Sequence, residues 1–173
     1  METATRLEQN RDRVLQEWVK RVHREVSAAQ REPDPILINT LPAYIDKLVE
    51  ALRATKEYAS QNSTLAKEHG RERARVTNYS LDHVIQEIQI FREVVIDILE
   101  ETGELTTFEI KIINLSTSKA VRESASNFMK AHDETRERLI GTITHDLRSP
   151  LTAAKMSMQM IVRYPDQCHE HLK

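Results

Sequence analysis

The apolar positions of this chain fall at helical spacing almost throughout, and they divide it into helices of very unequal length. Over residues 4–29, Leu7, Val14, Trp18, Val22 and Val26 share one face, while Arg11, Arg13, Glu17, Lys20 and Arg24 fall largely elsewhere. That pattern predicts a first amphipathic helix. Arg31-Glu32-Pro33-Asp34-Pro35 ends it, since two prolines do not continue a helix. A second helix is predicted from Asn39-Thr40-Leu41-Pro42, a polar cap followed by a proline in the first turn, with Ile45, Leu48, Val49 and Leu52 as its apolar stripe. Residues 59–77 are the most polar and least periodic of this half, and a short helix is expected over 64–75. Asn78 and Ser80 read as a turn and a cap. The clearest helix follows, carried by Leu81, Val84, Ile85, Ile88, Phe91, Val95, Ile98 and Leu99. Ile90 and Val94 widen its apolar face, so it should meet more than one neighbour. Gly103 stands where a helix C-terminus favours it.

Thr106 or Thr107 then caps a helix predicted to run from Phe108 to about residue 163, interrupted only by Gly141 and Pro150. At ~1.5 Å per residue it spans about 80 Å, too long for one compact domain. Its first third should pack on the preceding helices. Its middle, Val121, Ala125, Phe128, His132, Thr135 and Leu139, keeps a repeat near 3.5 residues with weak apolar content, the pattern of a parallel two-helix coiled coil. Pro165 closes the pattern and residues 166–173 form a polar tail. The fold class is all-α.

Composition narrows the classes. Three glycines and five prolines in 173 residues suit long helices with few tight turns. A net charge of −2 leaves no general nucleic-acid footprint. Cys168 is the single cysteine, which excludes an internal disulfide and suits a reducing compartment. No apolar run reaches the ~18 residues of a membrane span, and the polar N-terminus is no signal peptide, so a cytoplasmic location is expected.

One stretch carries chemistry. Leu139, Ile143, Leu147 and Leu151 recur every fourth position and make one stripe expected to be buried. His145 lies two residues from both Ile143 and Leu147, about 200° round the helix at ~100° per residue, so it points away from that stripe. An outward imidazole followed by the Asp146 carboxylate is an accessible nucleophile with a base beside it. Pro150 removes a backbone N–H, and a kink is expected there. The run His145-Asp146-Leu147-Arg148-Ser149-Pro150-Leu151 resembles the H-box of sensor histidine kinases, where it lies on the first helix of a dimerisation and phosphoacceptor hairpin. The resemblance implies that His145 accepts the γ-phosphoryl of ATP from a separate ATP-binding domain and passes it to an aspartate on a response-regulator receiver domain. Histidine suits this because its ordinary pKa of ~6.5 leaves the neutral nucleophile populated. Asp146 is implied as the base that holds the other ring nitrogen's proton, and Arg148 as a phosphate or partner contact. Ser149 stands where the family often carries a Thr or Asn that aids dephosphorylation.

A second resemblance covers residues 5–100. Trp18, Leu41-Pro42, Glu68-His69-Gly70-x-x-Arg73, Tyr79-Ser80-Leu81-x-x-Val84-Ile85-x-Glu87 and Phe91-Arg92 look like the RsbR-type N-terminal region, a helical domain related to non-haem globin-like sensor modules and usually dimeric. Together the two imply a four- to five-helix, globin-like input domain over residues 1–103. A connector helix over 104–138 follows, its start packed on the input domain, and then the first phosphoacceptor helix over 139–173. The whole reads as the cytoplasmic input and phosphoacceptor portion of a homodimeric histidine kinase. The alternative is a stressosome-like scaffold that acts only by protein–protein contact. A third reading, a haem or small-ligand binding globin-like protein, predicts visible absorption.

Twenty-eight residues follow His145, without a second hairpin helix or Gly-rich ATP-binding boxes. A portion of a longer kinase is therefore expected, inactive alone. It holds no cofactor itself, and ATP and Mg belong to the parent enzyme. The remaining histidines take structural readings: His69, beside Arg71, Arg73 and Arg75, as a polar loop residue, His83 as an exposed one near the Ser80 cap, and His132 as a polar layer of the connector. Cys168-His169-Glu170-His171 reads as a solvated tail, with no second cluster at zinc spacing. Met156, Met158 and Met160 alternate, so they do not share a helical face.

Overall fold

The computed structural model describes residues 2–54, 64–76 and 79–163, and every regular element among them is helical. In chain order these are α1 (Thr3–Gln9), α2 (Arg11–Glu25), a 3₁₀ turn (Ser27–Ala29), α3 (Asp34–Ile38), α4 (Leu41–Arg53), α5 (Thr64–Arg73), α6 (Leu81–Thr102) and α7 (Thr107–Arg163). The all-α expectation holds. The chain divides into two units, residues 1–132 and 133–173.

The first unit contains the core. Trp18, Leu7, Val14 and Val22 from α1 and α2 meet Ile45 and Leu48 from α4, Phe91, Val95 and Leu99 from α6, and Ile113 from α7, all nearly inaccessible. Helix α6 packs on both α1 and α2, as its broad apolar face predicts. From α7, Ile113, Thr117, Ala120, Ser124 and Phe128 are buried, a stripe stepping three or four residues at a time. Phe128 and the half-buried Val121, placed by their spacing on a coiled-coil seam, thus pack against this unit's own core.

Three expectations about helix ends are corrected. The first helix does not run unbroken over 4–29: Asn10 interrupts it, its side-chain amide donating to the Arg6 carbonyl at 2.8 Å and competing with the helical backbone. It stops at Glu25 because Val26 turns to extended backbone. The two prolines end no helix directly. Instead they open α3, with Pro33 extended as its cap and Pro35 in the first turn, where the missing N–H costs nothing.

The later boundaries fall where the sequence places them. Ser80 accepts from the His83 backbone N–H while its own N–H donates to the His83 ring, a reciprocal cap that starts α6. Gly103 ends it at φ 154°, where a side chain would also strike the Arg6 guanidinium. Arg6 donates to the carbonyls of Leu99 (3.0 Å) and Glu104 (2.7 Å) and so ties α1 to the α6–α7 turn. Thr106, rather than Thr107, caps α7, its hydroxyl accepting from the Glu109 N–H at 3.2 Å. Helix α7 runs through Pro150.

In the second unit the described residues, 133–163, are helical and all exposed. Leu139, Ile143, Leu147 and Leu151, expected as a buried stripe, are each more than half exposed. One helix has no second surface on which to bury such a stripe. Among the described residues no helix is long and apolar enough to cross a membrane.

Candidate functional site

Two places hold chemistry, one in each unit. In the second, His145 projects from α7 with its side chain 84% exposed, and its Nδ1 lies 3.3 Å from Asp146 Oδ1. Asp146 beside Nδ1 favours the proton on that nitrogen, which leaves the Nε2 lone pair directed outward. Arg148 and Ser149 are exposed on the same helix. Thr144, Leu147, Arg148, Leu151, Thr152 and Lys155 line a shallow open surface beside them.

The other place is buried in the first unit, and the sequence reading did not find it. On α5, His69 and Arg73 stand four residues apart and therefore share a face. Both are buried, so His69 is an interior helical residue and not the polar loop histidine expected. They meet Glu87 of α6, which is wholly inaccessible. Arg73 Nε donates to Glu87 Oε2 at 2.9 Å, and its two terminal nitrogens donate to the carbonyls of Ile36 (3.1 Å) and Leu37 (2.9 Å) near the end of α3. The Tyr79 hydroxyl donates to Glu87 Oε1 at 2.6 Å, and the Arg73 guanidinium lies 5.4 Å from the Tyr79 ring centre. Trp18 closes the group by donating its indole N–H to the Glu87 carbonyl at 3.0 Å.

Burial by itself pushes the Glu87 carboxyl up, but His69, Arg73 and the Tyr79 hydroxyl together pull harder, and it ends below the usual carboxylate range. Tyr79 is driven well above the ordinary phenol value by burial and by the Glu87 charge. Burial likewise raises Tyr44, with the Glu123 charge adding to it. A buried pair of this kind is tolerable because almost all its hydrogen-bonding groups are engaged.

The other face of α5 approaches α7 very closely. A side chain on Gly70 would come within 2.0 Å of the Ser124 carbonyl oxygen, and the Ser124 hydroxyl donates to the Ala66 carbonyl at 2.6 Å. Beside this contact lies a cavity of about 30 Å³ walled by Trp18, Tyr44, His69, Ile88, Phe91 and Ala120, among others. As folded, that space is far too small for a porphyrin, which bears on the haem reading.

The remaining expected residues are scattered. His83 is a capping residue, its Nε2 also 3.2 Å from Ser27 Oγ. His132 is exposed and stacks on Phe128 at 6.4 Å between ring centres. Cys168-His169-Glu170-His171 lies outside the described residues, among which no cluster of three or more potential metal ligands occurs. The signal for the buried group was the i, i+4 pair His69 and Arg73 in an otherwise aperiodic segment. Helical phase was legible there, but with little apolar content to mark the inner face.

Compared with known proteins, residues 12–145 match the family described as the RsbT co-antagonist protein rsbRD N-terminal domain. No curated protein and no solved structure matches the chain.

Proposed function

Because the chain belongs to the rsbRD N-terminal domain family, we propose that its first unit is a helical signal-input domain and that α7 delivers the signal to a phosphoacceptor histidine, His145. Its role is to take the γ-phosphoryl of ATP from the ATP-binding domain of a parent histidine kinase and pass it to a response-regulator aspartate. The observation that carries the reading is the exposed imidazole with Asp146 at its Nδ1, followed by Arg148, Ser149, Pro150 and Leu151. The Nε2 lone pair attacks phosphorus, the bond to the ADP oxygen breaks, and the imidazolium that forms is steadied by the neighbouring carboxylate. In this reading Ser149 assists the water that cleaves the P–N bond and releases inorganic phosphate, and Arg148 meets phosphate or an acidic partner surface. The active form is a cytoplasmic homodimer in which Leu139, Ile143, Leu147 and Leu151 of two copies cover one another.

The test is phosphorylation in trans, with the ATP-binding domain of the parent kinase, labelled ATP and magnesium. Acid-labile label on the wild type and none on His145→Gln is expected. Label at neither, with helicity intact and the hairpin extended by its second helix, would leave the second reading. In that reading the chain is a stressosome-like scaffold or adaptor working only by protein–protein contact, which the family description, an RsbT co-antagonist protein's N-terminal domain, supports without setting it above the first reading.

A further inference from the structure

Within the first unit α7 has an inner and an outer face. Ile113, Thr117, Ala120, Ser124 and Phe128 are buried on the inner one. Leu115 lies two residues from both Ile113 and Thr117, about 200° round the helix at ~100° per residue, and so stands on the outer one. Phe108, Leu115, Arg122 and Met129 follow one another at seven-residue steps, with Ile112, Lys119 and Ser126 three residues ahead of the last three. Phe108, Leu115 and Met129 are each about half exposed, and Arg122 and Ser126 are exposed. Large apolar side chains left in water at alternating four- and three-residue steps form the seam of a coiled coil. It is not the seam expected from Val121 and Phe128, which pack against the core.

The step itself selects the occupant. Seven residues fall about 20° short of two helical turns, so the seam winds slowly round α7, and a helix with the same step stays against it. A second copy of α7 has that step by construction. Counted on along the sequence, the same steps reach Ile140, Ile143 and Leu147, and the last two belong to the stripe already assigned to the homodimer. Orientation follows from the residue types. In parallel and in register, Phe108, Leu115 and Met129 each meet their own kind; run antiparallel about its midpoint, the seam would set Leu115 against Arg122.

We propose that the outer face of α7 in the first unit is an interface with a second copy of this chain, the two helices parallel and in register along Phe108, Leu115, Arg122 and Met129. The Arg122 layer brings like charges together and fixes register at a cost in affinity. The proposal rests on the homodimeric form of the reading above and names a further part of its interface.

The test is disulfide trapping in the full chain, with the single native cysteine removed as Cys168→Ser. Phe108→Cys, Leu115→Cys and Met129→Cys are made singly at these exposed positions, and far-ultraviolet dichroism checks that each variant is folded. A disulfide needs Cα atoms within about 7 Å. Under mild oxidation each of the three should form a covalent dimer, several-fold more than Asn114→Cys, which is also exposed but about 100° round the helix from Leu115. Antiparallel pairing brings at most one of the three opposite itself, so a single trapped position overturns the proposal, as does trapping no greater than at Asn114. In sedimentation equilibrium, Leu115→Asp should weaken the dimer several-fold and Arg122→Leu should tighten it. A dimer that neither change affects is held elsewhere and overturns the proposal. A monomer throughout overturns it too, and binding of that monomer to phosphatidylglycerol vesicles would assign the face, with its Lys119 and Arg122, to a lipid surface. Trapping at all three positions with no label on His145 would sink the phosphoacceptor reading and leave this interface standing; label on His145 without trapping would do the reverse.

Discussion

Helix α7 lives under two regimes. Between Ile113 and Phe128 its inner stripe mixes large apolar residues with Thr117, Ala120 and Ser124, and the stripe is buried. Between Leu139 and Leu151 every stripe residue is a large aliphatic, and the stripe is exposed. Apolar strength along a helix therefore does not say what covers it. The weaker stripe is covered because small residues let a neighbouring helix come close, as Ser124 does for Gly70 and Ala66. The stronger stripe stands on the single helix described in its unit, with no second element there to cover it. The difference separates enclosure from access: the first unit carries the packing and the buried charges, and the second carries an exposed imidazole beside a carboxylate.

The largest expected effect that would break this contrast is at Glu87. Glu87→Ala leaves Arg73 buried without its carboxylate and should cost roughly 3–5 kcal/mol in urea unfolding. Leu147→Ala, at protein concentrations too low for association, should stay within about 0.5 kcal/mol of wild type. A comparable loss at both positions would show that the second unit is packed after all. Next comes Gly70→Ala, whose methyl meets backbone at 2.0 Å and should cost about 1–3 kcal/mol with an altered near-ultraviolet dichroism.

Acid sharpens the comparison further. The Glu87 carboxyl lies below its ordinary value in the folded chain, so its contribution is complete above the ordinary carboxylate range of about 4.3 and fades as pH falls through the lowered folded value. The stability advantage of wild type over Glu87→Gln should therefore shrink as the pH falls below the ordinary carboxylate range of about 4.3, read as the difference in melting temperature. Taking the difference removes the slopes due to Glu25 and Glu109, which are also lowered. The smallest effect has the opposite sign. Nothing stands within 4 Å of a side chain at Gly141, so Gly141→Ala should favour the helix by about 0.5–1 kcal/mol, seen as slower amide exchange around that residue and little change in overall melting.

How much of this was legible depends on whether a local signal and the tertiary environment agree. Ser80, Gly103 and Thr106 mark ends by chemistry confined to a few residues, and those boundaries were readable. The break at Asn10 was not, because apolar spacing continues across it and only the side-chain bond to Arg6 reveals it. Arg73 and Glu87 look like surface charges in sequence, since burial of a charge is decided by a partner fourteen residues away. The expectation for His145 rests only on neighbours one to six residues along the same helix, and the structure bears on its exposure alone.

Pro150 gives the helix that carries His145 one more property. A proline has no amide hydrogen to send back four residues, and four residues before it is Asp146. The ladder of helical hydrogen bonds thus lacks a rung at the residue next to His145, leaving a carbonyl there without its usual donor. The turn that presents the imidazole is in consequence held by one hydrogen bond fewer than an uninterrupted helical turn.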